Sequence, residues 1–302
     1  INAPRSPFQN VNQLEPASLL RFSEAGVEIR KYWNTNSIKP LSISFEDAKA
    51  ETTQLLEEAV KSRMISERPI GAFLSGGIDS TIVTALMARI SDSKVHTFSI
   101  GFDDTKFDES THAKRVAKSI GTYHHERIVE PDPFFILDTI AKTLDSPFAD
   151  SSIIPTFLLS QFARERVVVA LSGDGGDEGF GGYQRYKAAL YLNKINPLLH
   201  LNPFTKHSPD YISNDRLRKL LKHLSPKSIE VRYRDFQSLF LEKDLTFLLN
   251  PDIRDSNANS LFSEMWQSIL ANDLIRKMQE FDIQSYLPGD LLYKVDMASM
   301  AN

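Results

Sequence analysis

Strand-sized apolar runs alternating with amphipathic helical stretches between residues 45 and 171 predict an α/β protein on a doubly wound parallel sheet, with a C-terminal helical lobe. Three observations carry this. IGAFL (70–74), VHTFSIGF (95–102), HERIV (125–129) and VVVAL (167–171) are separated by helix-length spacers, as parallel strands require. VVVAL is apolar throughout and is expected to be central in the sheet. After about residue 196 the pattern changes: LRKLLKHL (217–224), LFLEKDLTFLL (239–249) and LFSEMWQSILANDLIRKMQ (261–279) are helical, with no convincing strand. The expected division is a hairpin at 1–34, an α/β domain at 35–196 and a helical lobe at 197–302 packed on the sheet.

Taken in order, SLLRF and VEIRKYW flank a Glu-Ala-Gly turn and read as a β-hairpin, followed by the polar connector NTNSIKP with Pro40 as a stop. From Phe45 to about Ser66, Leu55, Leu56, Ala59, Val60 and Arg63 recur at helical spacing. Thr81–Ile90 is expected to be a helix with Ile82, Val83, Leu86, Met87 and Ile90 turned inward. Asp108 reads as an N-cap, with Glu109 in the first turn of a helix that runs to Ile120 and stops at Gly121. Phe134–Leu144 and Ile153–Arg164 complete the helices of the sheet domain.

Composition narrows the function. Hydrophobic residues make up 41% of the 302 residues, charged residues 25%, and the net charge is −4 with a pI near 6.0. That balance suits a globular domain and argues against a nucleic-acid surface. No run reaches the ~18 apolar residues of a membrane span, and no signal peptide is present, so a cytoplasmic location is expected. With no cysteine, disulfides, thiolate metal sites and cysteine nucleophiles are excluded. The first residue is Ile1, which reads as a piece of a longer protein.

Two loops carry the chemistry. In an open parallel sheet, ligands bind beyond the carboxyl ends of the strands. Ser75-Gly76-Gly77-Ile78-Asp79-Ser80 leaves the first strand, and Ser172-Gly173-Asp174-Gly175-Gly176-Asp177-Glu178 follows VVVAL. The first lacks the lysine of the common phosphate loop. Its glycines let the backbone approach an anion, the following helix aims N–H groups at it, and Ser75 and Ser80 add hydroxyls. A carboxylate at Asp79 beside phosphate makes sense with a hard cation between them, and Mg²⁺ takes one or two carboxylates plus phosphate oxygens. Asp177 is the expected partner carboxylate.

SGG-x-D-S after a strand resembles the pyrophosphate-binding loop of the ATP-pyrophosphatase (adenine nucleotide alpha hydrolase-like) superfamily, which cleaves ATP between the α- and β-phosphates. ALSGDGGDEGFGGY, PIGAFLSGGIDS, HTFSIGF, FDESTHAKRVAKSIGTYHHE, FADSSIIPTFLLSQFARERV and LPGDLLYKVDMASMAN are similar to the synthetase domain of glutamine-hydrolysing asparagine synthetases. The resemblance runs from about residue 20 to 302, and the hairpin ending in Tyr32-Trp33 resembles the junction after that family's N-terminal glutaminase domain. It implies that Ser75, Gly76, Gly77, Asp79 and Ser80 hold the β,γ-phosphates of ATP, and that Asp79 and Asp177 share Mg²⁺. It implies that Leu74 and Ile100 offer backbone to the adenine, that Ser172 and Gly173 line the nucleotide pocket, and that Asp174 handles incoming ammonia. The reaction the resemblance implies begins with a carboxylate, aspartate first, attacking the α-phosphorus to give an acyl-adenylate and pyrophosphate. In the implied second step, ammonia from a glutaminase domain missing from this chain attacks the acyl carbon and expels AMP. The alternatives are amidation of another carboxylate such as a uronic acid, cyclisation of the β-lactam synthetase type, and a non-catalytic ATP-binding module. No nucleic-acid or membrane partner is expected, and a homodimer is compatible with the reading.

The sequence also departs from that pattern. The family's N-terminal cysteine nucleophile is absent, and the chain stops before the family's S-L-E-x-R-x-P-F-L-D stretch and the functional lysine beyond it. The expectation is a polypeptide that binds ATP but completes catalysis poorly. Asp150-Ser151-Ser152 lacks the arginine that some asparagine synthetases place near the substrate carboxylate. His124 and His125, adjacent on a strand, point to opposite faces and read as structural. Tyr183, Tyr186 and Tyr191 read as helix packing and Trp266 as core, while Lys294 and Asp296 receive no catalytic role.

Overall fold

The structure, a computed structural model, describes residues 2–102, 110–129, 133–201, 227–238, 240, 247–250 and 258–302. The expected cap at Asp108 and Glu109, the LRKLLKHL helix and most of LFLEKDLTFLL lie outside them. The chain divides into two compact units, residues 1–176 with 285–302, and residues 177–284.

The first unit opens with the hairpin β1 (Ser18–Ser23) and β2 (Gly26–Lys31), antiparallel with Leu20 opposite Ile29 and Phe22 opposite Val27. Helix α1 (Phe45–Arg63) starts at Ser44, whose hydroxyl accepts the Asp47 N–H at 3.1 Å and satisfies one of the orphan donors of the first turn. There follow β3 (Ile70–Phe73), α2 (Ile78–Ile90), β4 (His96–Gly101), α3 (Ser110–Ile120), β5 (Tyr123–Ile128), α4 (Pro133–Thr143), α5 (Ile153–Arg164) and β6 (Val169–Leu171). The short helix α6 (Gly176–Phe180) straddles the division, and after the second unit the chain closes with a π-helical turn at Leu287–Leu291 and a further helix, Leu292–Met300.

β3, β4, β5 and β6 form one sheet in the order β5-β4-β3-β6, each neighbouring pair parallel. The chain steps outward from β3 to β4 and β5, then returns to the far side of β3 for β6. The order therefore reverses between β3 and β6, the place where such sheets open a crevice at their carboxyl ends. Strand alternation sends Ala72 and Leu74 to one face and Phe73 to the other. Ala72 packs with Val60, Leu86 and Met87 of the α1–α2 layer and with Val95 just before β4, and Leu74 packs with Ala113 and Ala117 of α3. On the opposite face Phe73, Phe98 and Ile100 pack with Phe162, Ala163 and Val167 around α5. Helices on both faces make the sheet doubly wound.

Three expectations about the sheet domain need correction. Among the described strands β6 lies at the edge rather than the centre, with Val168 and Val169 48% and 37% exposed. The VVVAL run is apolar because Val167, buried just before the strand, joins the Phe98–Phe162 cluster, and a run of valines alone does not separate an edge from a centre. Ile82 is 40% exposed, so the inward face of α2 is the narrower stripe of Val83, Leu86, Met87 and Ile90. Helix α2 also begins at Ile78, three residues before the expected Thr81.

The second unit holds α7 (Gln184–Leu201), α8 (Ile229–Gln237), α9 (Ala258–Ser268) and α10 (Leu274–Gln284). Its core joins Tyr186, Ala189, Tyr233, Trp266, Ile269, Met278 and Phe281. Tyr191, expected to pack, is exposed.

Phe98 is fully buried, edge-on to Phe162 with ring centroids 5.7 Å apart. Phe98→Ala is expected to cost about 3–5 kcal/mol in urea unfolding. Phe45→Ala, at an exposed helix start, should stay within about 0.5 kcal/mol.

Candidate active site

The loop after β3 leads directly into the first turn of α2 at the carboxyl end of the strand. Leu74, almost fully buried, donates its N–H to Phe98 C=O at 2.9 Å. Gly76 then turns with φ +84°, in the left-handed region, and a Cβ there would stand 2.8 Å from backbone atoms of His112 and Ala113. Gly77 is the N-cap of α2 and brings no side chain to bond its first turn. Ser75 Oγ accepts the Gly77 N–H at 3.2 Å and shares a 3.0 Å hydrogen bond with Ser80 Oγ, which fixes the loop. The first N–H groups of a helix have no intrahelical acceptor and sit at the positive end of its dipole, so the turn suits an anion.

The loop after β6 packs onto this turn. A Cβ on Gly173 would stand 2.7 Å from Ser80 N and 2.9 Å from Asp79 C. A Cβ on Gly176 would overlap the Asp79 carboxylate. Gly176 N–H donates to Gly173 C=O at 3.2 Å, closing the loop, and Ser172 Oγ donates to Asp174 Oδ2 at 2.7 Å. Asp174 is exposed. The structure thus brings Ser75, Gly76, Gly77, Asp79 and Ser80 together with Ser172, Gly173 and Asp174. Asp177 belongs to the second unit, where its carboxylate lies against Gly182, so near that a Cβ on Gly182 would overlap Oδ1.

Leu74 and Ile100 flank the end of the β3–β4 ladder. Because backbone direction alternates along a strand, the N–H and C=O of Ile100 face the same edge as Phe98 C=O, one step past the rung made by Leu74. The Ile100 side chain packs into the Phe98–Phe162 cluster.

Carboxylate oxygens at Asp79 and Asp177 suit a hard divalent cation such as Mg²⁺. In both places a glycine keeps the carboxylate clear of a neighbouring Cβ, so the residues fit such an ion.

One cluster was not legible as a unit. Lys294, buried on the last helix, donates to Asp150 Oδ2 at 3.1 Å and to Ser152 Oγ at 2.8 Å. Asp150 also accepts the Ser152 N–H at 2.9 Å and hydroxyl at 2.6 Å. Burial pushes the Asp150 carboxyl up, but the two Ser152 bonds and Lys294 outweigh it and hold it below the usual range. Asp290 is pushed up by burial and by the charge of Asp150, against a smaller opposing pull from Lys294. A cation therefore does stand beside the Asp150-Ser151-Ser152 segment, supplied from a helix 144 residues away. The signal was a lysine inside the otherwise half-apolar LYKVDMASM.

The two histidines take opposite faces as expected. His124 bonds Thr97 Oγ1 at 3.0 Å, whereas His125 bonds His96 Nδ1 at 2.9 Å and stacks on Phe98. Burial lowers both their pKa values.

Comparisons with known proteins add the following. Residues 51–302 match the family model described as asparagine synthase. The "Putative asparagine synthetase [glutamine-hydrolyzing] 2" of Methanocaldococcus jannaschii is 43% identical over 204 residues, 66% of this chain and 39% of its own. Asparagine synthetase [glutamine-hydrolyzing] 1 of Bacillus subtilis is 30% identical over 305 residues, 99% of this chain and 48% of its own. The chain thus spans about half the length of the curated relatives it matches or less. An NH3-dependent NAD synthetase from Campylobacter jejuni aligns with 77% of this chain and 99% of its own at 16% identity and a TM-score of 0.31. Among the described residues no helix is long and apolar enough to cross a membrane.

The raised Asp290 pKa has a consequence for stability. The folded state holds that proton more tightly than the unfolded chain, so the stabilisation is present at low pH and lost as pH rises through the folded pKa. Asp290→Asn cannot ionise, so its urea midpoint relative to the unsubstituted protein should shift in the variant's favour between pH 4 and pH 8.

Proposed function

The chain belongs to the asparagine synthase family, and from that premise we propose that it is the ATP-using synthetase portion of an amide-forming ligase. The observation that carries this reading is the packing of the Ser172–Gly176 loop directly on the Ser75–Ser80 turn, at the strands between which the sheet order reverses. In this reading the open N-terminus of α2, with Ser75, Gly76, Gly77 and Ser80, binds the β,γ-phosphates. The backbones of Leu74 and Ile100 meet the adenine edge, and Ser172 and Gly173 line the nucleotide. Asp79 and Asp177 hold Mg²⁺, which when bound neutralises charge on the departing pyrophosphate. Asp174, exposed and steadied by Ser172, stands ready to take a proton from ammonia as it attacks the acyl carbon.

The carboxylate favoured as substrate is aspartate, in keeping with the names of the relatives. Ammonia would come from glutamine, hydrolysed by a glutaminase. Positioning of two anions and a metal is the main work asked of the protein, and it is what a rigid pair of loops supplies.

Carboxylate-dependent exchange of pyrophosphate into ATP tests the reading. Exchange is expected with aspartate and to fall by roughly 100-fold or more in Asp79→Ala. Exchange only with another acid, such as a uronic acid, would keep the mechanism and change the substrate. Absence of exchange with every acid, despite ATP binding, would leave a nucleotide-binding module. The loop packing gives a second expectation. Gly176→Ala drives a methyl into the Asp79 carboxylate and should weaken Mg-ATP binding by about tenfold, or ~1.4 kcal/mol, in calorimetry. Gly179→Ala, with nothing within 4 Å of its Cβ, should bind as the unsubstituted chain does.

A further inference from the structure

The second unit carries a buried network that begins on the residue after Asp177 and that the roles above do not use. Glu178 is 1% exposed, and its Oε1 accepts the Tyr183 hydroxyl at 2.5 Å. The Arg185 guanidinium lies over the Tyr183 ring, 3.6 Å from its centroid, and donates to Asp282 at 2.7 Å. Asp282, fully buried on α10, also accepts the hydroxyls of Tyr186 and Tyr233, each at 2.6 Å. Nearly one turn earlier on α10, Gln279 Nε2 donates to the carbonyls of Glu178 at 3.0 Å and Gly179 at 2.9 Å.

Helix α10 therefore grips the acidic turn twice. Gln279 holds its backbone, and the chain Asp282–Arg185–Tyr183–Glu178 holds the side chain next to Asp177. The loop closes on Asp177 itself, because Gly182 N–H donates to Asp177 C=O at 3.0 Å and the bare Gly182 leaves the carboxylate its place. An apolar residue at 178 would fill the same volume without the cost of burying a carboxyl whose Oε2 finds no partner among the described residues. A polar group kept in that position, bonded towards the loop rather than the core, is a device for fixing a neighbour.

We propose that Gln279, Tyr183 and Glu178 are positioning residues for Asp177, setting the turn that presents its carboxylate to a divalent cation. This rests on the reading of Asp177 as a metal-holding residue. Tyr183 also packs on the unit's apolar core of Tyr186, Tyr233, Trp266, Met278 and Phe281, so Tyr183→Phe, which keeps the ring and removes the hydroxyl, separates the positioning role from packing.

The test uses the 302-residue chain. ATP binding is measured by calorimetry with Mg²⁺ and with EDTA, and Mn²⁺ binding to the ATP-loaded chain by electron paramagnetic resonance. Tyr183→Phe and Gln279→Ala are each expected to weaken Mn²⁺ binding by roughly tenfold and to leave metal-free ATP affinity within about twofold. Glu178→Gln keeps the acceptor oxygen for Tyr183 and should remain within about twofold of the unsubstituted chain, while Glu178→Leu falls with the other two. Unchanged cation affinity in Tyr183→Phe and Gln279→Ala overturns the proposal alone. So does an equal loss of ATP affinity with and without metal, which is the mark of general unfolding. An unsubstituted chain that binds ATP with no cation dependence would overturn both the metal-holding reading of Asp177 and the proposal.

Discussion

The candidate site depends on one close approach, that of the loop after β6 to the first turn of α2 with no side chain between them. At Gly173 the distance a Cβ would keep from Ser80 N is 2.7 Å, and at Gly176 there is no room beside the Asp79 carboxylate at all. Two loops from strands whose paired residues lie 99 apart in the chain (Gly71 with Ala170, Ala72 with Leu171) are thereby packed backbone to backbone. A shift of one loop is therefore felt by the other, and the proposed nucleotide-binding groups are held against each other by this contact. The sheet order makes the contact possible, because only the reversal between β3 and β6 places these two carboxyl ends side by side.

The glycines in these loops answer to different demands, which explains what sequence reading could and could not recover. That the loops are rich in glycine and leave strands was legible, and so was the anion-binding logic of a strand-to-helix turn. The reason for each glycine was not. Gly76 is required by its φ and by the backbone of α3, Gly173 and Gly176 by the other loop, and Gly182 by the Asp177 carboxylate. Such contacts are long-range, and local composition carries no record of them. The same limit applies to Lys294 and Asp150, whose pairing spans 144 residues.

Where elements were legible, periodicity did the work, and where they were misread, the cause is identifiable. Helix α2 begins at Ile78 because its N-cap is Gly77, which offers none of the usual capping side chains to mark the start. β6 reads as central because valines at 167–169 look equally buried in sequence, whereas only Val167 reaches the core. Ile82 and Tyr191 are apolar or aromatic residues left outside, and helical spacing alone assigns both to a buried stripe.

The acids of this chain are held in three ways, and the contrast bears on the proposed chemistry. Asp150 and Asp282 are surrounded by donors from the protein itself, Lys294 and Ser152 for one, Arg185 and two tyrosines for the other. Glu178 and Asp290 are pushed above the usual carboxylate range first by burial, so the neutral acid is what the fold favours there. Asp79 and Asp177 each lie against a glycine, Gly176 and Gly182, whose missing Cβ is what lets the carboxylate keep its place. Close glycine backbone fixes where each of these acids sits, and it falls on the two residues proposed to hold the metal.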